Sequence, residues 1–305
     1  MPLTYFGPFG EQNSVYTNSG HANVGRWPLG RTLILPDGRE YRFALNDGTV
    51  EIAGNLYQSV APLAGHTNIA CDVARAIDAI VISATLNTTV AGIDIYTEGL
   101  VHVNDAVGEG YSYRIKRAMT AGAAHAAAVA TGVLTVNLDA GEDVQVALTT
   151  ASEVSFTRNP YHQVLIHDSP PTAGLAGVSP GVAAADRFYW SQVKGYAAVL
   201  ASGTLLAGLP VMAGITTDGA VEGLKRRARS GGTTVLLPTT AALTGMRLVD
   251  QDGTTTAFMM VASISTQVTA SYDITGPIAD NSPAVGICVK ANATTEQALI
   301  DLDIK

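Results

Sequence analysis

Charge is the scarcest thing in this sequence. Only 14% of its 305 residues are Asp, Glu, Lys or Arg, against roughly 25% in ordinary soluble domains, while 47% are apolar and 31 are glycine. Obligate interfaces lose charge and gain apolar area, so a surface this poorly charged suits a protein partly covered by its neighbours. Positive charge is scarcer still. The net charge of -8 argues against a general nucleic-acid binder, because neutralising phosphates needs a basic face. The one basic cluster, "KRRARSGG", holds Lys225, Arg226, Arg227 and Arg229. It reads as a solvated loop or helix end, or as a contact with an acidic neighbouring subunit.

Cysteine is nearly absent. Cys71 and Cys288 stand far apart, with no second thiol or histidine at metal-ligand spacing, which removes a disulfide framework and a zinc site. Buried free thiols made in a reducing cytoplasm are the expectation. The opening residues "MPLTYFGPFG" lack a basic stretch and a continuous apolar stretch, so no Sec leader is expected.

Catalytic signatures are missing as well. There is no HExxH, no GxSxG and no GxxxxGK[ST]. Of the six histidines, His162 and His167 come closest together, but an offset of five puts them on opposite faces of a strand. Asp250, Asp252 and Gly253 resemble the start of a calcium loop, yet the later ligands are absent and a DG hairpin turn explains them. Asp139, Glu142 and Asp143 gather at a turn, where solvated carboxylates are commoner than a glycosidase pair. No metal and no cofactor is expected.

Long apolar runs do occur. Gly195 to Thr217 is uncharged over 23 residues, long enough for a membrane helix. Gly203, Gly208, Pro210 and Gly214 interrupt it, and lipid could not restore the hydrogen bonds lost at Pro210. Short strands joined by tight turns need that same punctuation. The tract therefore predicts strands, not a membrane span.

An all-β chain of two β-sandwich or barrel-like domains behind an extended arm follows. Residues 1-60 form the arm and first strands, with Tyr5, Phe6, Phe9, Tyr16 and Trp27 as aromatics for a partner surface. Ordering such an arm costs on the order of 1-2 kcal/mol per residue in backbone entropy, which a partner, or the chain's own domain, must offset. Residues 61-169 read as a first β-domain, in which 133-150 alternates like a hairpin around "DAGED". Residues 170-186, "PPTAGLAGVSPGVAAAD", read as a linker. Residues 187-305 form the second β-domain, ending in "TTEQALIDLDIK" as a short helix or a last strand. Its opening triplet Phe188, Tyr189 and Trp190 predicts a strand with one aromatic face in the core and the other at an oligomer contact.

Three phrases, "NDAVGEGYSYRIK", "NPYHQVLI" and "FYWSQVKG", lie within a span of roughly residues 75-215 that resembles virion structural proteins of tailed phages of cyanobacterial and marine bacterial hosts, with capsid decoration or cement proteins the closest group. The resemblance implies a non-enzymatic β-rich protein on the capsid exterior, often a homotrimer, whose partner is the major capsid protein. It implies no functional residue. It leaves open a tail or neck protein binding host glycans through Tyr111, Tyr113 or Tyr189, and a glycan-cleaving enzyme using Asp139, Glu142 or Asp143.

Overall fold

The computed structural model describes residues 27-87, 91-118, 124, 132-224, 246-249, 255-259, 283-292 and 296-304. Among these residues, apart from one 3-10 turn at Ala64–His66, the regular structure is all strand. In chain order the strands are β1 (Thr32–Ile34), β2 (Glu40–Leu45), β3 (Leu56–Gln58), β4 (Ile69–Ala70), β5 (Val81–Leu86), β6 (Leu100–Asp105), β7 (Ser112–Arg114), β8 (Gly132–Asn137) and β9 (Glu153–Thr157). They continue with β10 (Leu165–Ile166), β11 (Leu175–Val178), β12 (Phe188–Leu200), β13 (Pro210–Ala213), β14 (Val221–Gly223), β15 (Met246–Val249), β16 (Thr255–Met259), β17 (Ala284–Lys290) and β18 (Gln297–Asp303). The chain divides into two compact units. Residues 225-281 make the smaller, described only by the antiparallel pair β15 and β16.

The larger unit holds two kinds of sheet. A ten-stranded antiparallel sheet runs β10-β3-β11-β12-β18-β17-β13-β14, with β2 joined to β12 and β1 to β2. A four-stranded sheet β4-β9-β6-β7 and the pair β5-β8 build a second lobe. That lobe has its own core of Ile82, Leu134, Val136, Val101, Ile115 and Phe156, each at most 1% exposed. Alternation explains its strands: Leu134, Val136 and Leu138 point inward while Val133 faces out at 39% exposure. The hairpin expected over 133-150 does not form. β8 pairs with β5 from Leu86↔Gly132 to Val81↔Asn137, and Leu148 instead bridges Arg75. Val144 and Leu148 are buried because residues 75-79 come across to bond them.

The 170-186 stretch is not a linker. It supplies β11, hydrogen-bonded between β3 and β12, and buries Ala176, Val178, Ser179 and Ala183. Its glycines serve close approach. At Gly177, with φ +120, a Cβ would collide with Ser191 Oγ and come within 2.7 Å of Gln192 O. The large sheet also takes in β1, β2 and β3, which the sequence reading placed with the arm. The tail is the strand β18, paired along seven positions of β12. The uncharged tract 195-217 becomes the end of β12, turns, and β13; among the described residues no helix is long and apolar enough to cross a membrane.

Candidate functional site

β12 is the organising strand. Its first half pairs with β2 from Phe188↔Leu45 to Lys194↔Glu40, and its second half with β18 from Lys194↔Asp303 to Leu200↔Gln297. The exchange happens at Gly195, where a φ of +81 strains any side chain and a Cβ would press on Arg39, 3.0 Å from Cγ and 3.2 Å from Cα. Beyond it, β12, β18 and β17 alternate. Ala197, Val199, Ile300, Leu302 and Cys288 face the core. Tyr196, Asp301 and Ile287 stand side by side across three strands on the other face, with Tyr196 59% and Ile287 50% exposed. Val289 on β17 is exposed too. Tyr196, Asp301 and Ile287 floor an open depression of about 980 Å³, rimmed by the pairs Arg39–Asp37 (2.6 Å) and Lys194–Glu40 (3.6 Å). A floor in which a Tyr ring and an Ile flank one carboxylate, inside a rim of charge, mixes apolar and polar area as protein interfaces do. The depression is too open to enclose a small molecule, since ligand sites bury most of their occupant.

The aromatic triplet lies elsewhere, with both faces covered by its own chain. Phe188 stacks on Phe43 at 5.3 Å and 3°, and Trp190 meets Phe43 edge-on at 5.1 Å. Tyr189, on the opposite side, is 5% exposed beside Ala44, Val164 and Ala176. Tyr189 and Trp190 are core, and Phe188 is partly buried against it. Trp27, expected to reach a partner, is partly buried against Leu33, Tyr41, Phe43 and Trp190, with the Arg31 guanidinium 4.0 Å above its ring. Tyr5, Phe6, Phe9 and Tyr16, and the basic cluster Lys225, Arg226, Arg227 and Arg229, lie outside the described residues.

Of the tyrosines considered for sugar stacking, Tyr113 and Tyr189 are buried and only Tyr111 is exposed, at 43%. Two of the three turn acids are occupied by neighbours: Asp139 pairs with Arg114 at 3.5 Å, and the Gln145 amide donates to the Asp143 carboxylate. Cys71 and Cys288 are buried free thiols, and burial raises the pKa of each. His162 and His167 share no site: the His167 ring lies between the carbonyls of Asp168 (2.8 Å) and Ala220 (2.7 Å), while His162 Nδ1 has no partner. Among the described residues no three His, Cys, Asp or Glu side chains come together as a metal site.

Comparison with known protein families, curated protein sequences and solved structures finds no match. The chemistry must therefore be read from this chain alone.

Glu51, Glu98 and His162 are buried and Arg158 is half-buried, and of these the sequence singled out only His162. Glu51 is 1% exposed, with neither carboxylate oxygen hydrogen-bonded; the Tyr189 hydroxyl and Ser179 face it without reaching bonding geometry. Burial pushes its pKa up to about 8, so the carboxyl holds its proton at neutral pH. Glu98 is buried too, and burial raises its pKa, but it is held by the Leu29 N–H at 2.5 Å and by Arg117 Nε at 2.8 Å. His162 is pushed down to about 4, by burial first and then by the Arg158 charge. Arg158, its pKa lowered by burial, has no carboxylate partner among the described residues. Each sits in a loop or at a strand end, where period gives no signal for burial.

Proposed function

We propose that this chain is a non-enzymatic virion structural protein that decorates and stabilises an icosahedral phage capsid, binding the outer surface of major capsid subunits as a homotrimer. The observation that carries the reading is the outward row Tyr196–Asp301–Ile287 on the β12-β18-β17 sheet. A rigid sheet presenting a half-exposed Tyr and Ile inside a charged rim offers a preformed docking surface. The low charge of the chain and the resemblance of its 75-215 region to cement proteins support the same conclusion. A contact of standard size, about 1,600 Å² and repeated around the head, would resist internal pressure by binding only the intact shell.

The test is occupancy. Purified chain is added to preassembled heads and the bound copies are counted in electron micrographs, for the parent and for Tyr196→Asp with Ile287→Asp. Both side chains are exposed, so the fold is retained; occupancy is expected to fall by about tenfold or more, as when a central contact is lost. Unchanged occupancy removes this face from the mechanism. If the parent never binds heads, the function itself is wrong. A tail or host-recognition role keeps one specific support, exposed Tyr111 with its ring parallel to Tyr113 at 6.4 Å, and would show as a few copies per particle together with glycan binding lost in Tyr111→Ala.

A further inference from the structure

A second cavity lies between the two lobes of the larger unit. Its volume is about 250 Å³, just under the roughly 300 Å³ at which small-molecule sites begin, so it admits a group of about one residue's size. One wall is the end of β9 and the turn after it, with Phe156, Arg158 and Pro160. The opposite wall runs from Ser59 through Thr172 to Gly174, and Leu63 and Tyr96 close the cleft.

The wall opposite Arg158 is fixed before any ligand arrives. Gln58 donates to Asp168 at 3.1 Å and to Thr172 Oγ1 at 2.8 Å, and Thr172 Oγ1 donates to Asp168 at 2.8 Å. The Ser59 N–H and hydroxyl both donate to Gly174 O, at 2.8 and 3.1 Å. The Tyr96 hydroxyl is taken by His66 Nδ1. The Asn159 amide donates to Glu98 O at 3.2 Å, while its side-chain oxygen accepts the Tyr161 N–H at 2.9 Å. Every one of these polar groups is engaged.

Arg158 is the exception. A guanidinium carries five N–H donors in a planar fork. Only Nη1 is used, toward Gln163 Oε1 at 3.3 Å, and Nε is buried with no partner. Among the described residues no acidic side chain lies within ion-pair distance. Nε is sealed from the cleft, but Nη2 is neither buried nor hydrogen-bonded and is the donor left for an acceptor from outside. A carboxylate oxygen there would accept a charge-assisted hydrogen bond. Around it, Phe156, Pro160, Leu63 and Val60 supply apolar contact.

We infer that the cleft binds a carboxylate attached to an apolar group of one residue's size, with Arg158 receiving the carboxylate and the lobes gripping the apolar group. The site is separate from the sheet face proposed for capsid docking and does not depend on that reading.

The experiment measures binding to the full chain by calorimetry, with N-acetyl-leucine as probe and N-acetyl-leucinamide as its neutral counterpart. Inorganic phosphate serves as a bare anion. Saturable binding of the acid, at least about tenfold tighter than the amide, is expected, since hydrogen bonds to charged groups are the strong ones. Arg158→Gln should bring the acid down to the level of the amide, while Arg158→Lys keeps the charge but not the fork and should fall between. The acid–amide comparison uses the parent chain alone and stands even if a variant fails to fold. Equal binding of acid and amide, binding of phosphate as tight as the acid, or no binding of either organic probe would each overturn the inference. A peptide ending in Leu that binds more tightly than N-acetyl-leucine would identify the source as a chain terminus; weaker binding would identify a free acid.

Discussion

Glu51 makes stability depend on pH in a direction opposite to that of most carboxylates. Its folded pKa is about 8 against an ordinary 4.5, because burial disfavours the charged form and Asp47 adds to it. Below pH 4.5 the carboxyl is protonated whether the chain is folded or not, and its contribution to stability is fully present. Between 4.5 and 8 the unfolded chain gives up the proton while the folded chain retains it, so stability falls as pH rises. At 1.36 kcal/mol per pH unit the whole interval is worth roughly 5 kcal/mol. His162 works in reverse. Its folded pKa is about 4 against 6.5, so its contribution is present above pH 6.5 and lost as pH falls toward 4. The two slopes oppose each other between 4.5 and 6.5, which leaves pH 6.5 to 8 as the window where Glu51 acts without His162. Across that window the parent should lose roughly 2 kcal/mol, and Glu51→Gln, which cannot ionise, should not lose that share. Urea unfolding of both proteins at half-unit pH steps gives the difference curve, in which all other groups cancel. Parallel profiles from 6.5 to 8 would refute the assignment of a protonated, buried Glu51.

Gly177→Ala forces a Cβ into Ser191 Oγ and Gln192 O at a φ of +120, and should cost about 2-3 kcal/mol, whereas Gly38→Ala, also at positive φ but with open space around it, should cost nearer 1; equal losses by urea unfolding would mean that strand proximity at β11 is not what requires glycine. Glu98→Ala leaves Arg117 and the Leu29 N–H without their buried acceptor and should cost about 3-5 kcal/mol, with residues 27-30 losing amide protection first in hydrogen exchange.

The strand content was legible because period-2 alternation survives wherever one face is buried, as along Leu134, Val136 and Leu138. Pairing was not legible. Val144 and Leu148 alternate as well as any strand, yet they bond to residues 75-79, because partner choice is decided by which segments share a core and not by proximity in sequence. The 170-186 stretch misled for a related reason. Glycine and proline mark flexibility when the backbone is in water, but the same glycine is compulsory where two strands approach too closely for a Cβ, and composition cannot separate the two cases. The cleft around Arg158 could not be seen at all. Its walls come from residues 59-63, 96, 156-160 and 172-174, and an arginine becomes notable only when every neighbouring acceptor is known to be engaged.

The division of labour along β12 ties these points together. In its first half both faces are covered, by Phe43 on the Trp190 side and by Ala44 and Val164 on the Tyr189 side, so aromatic residues there stabilise the sheet and are unavailable for recognition. The buried Trp190 would be worth about 3-5 kcal/mol to the fold whatever the protein binds. At Gly195 the strand leaves β2 for β18, and from Tyr196 onward one face has no cover from its own chain among the described residues. A single strand thus carries a structural half and an exposed half, divided by one glycine that Arg39 packs against. Substitutions before Gly195 should therefore act on stability and those at Tyr196 on association, a separation that no reading of the aromatic triplet as a contact surface would produce.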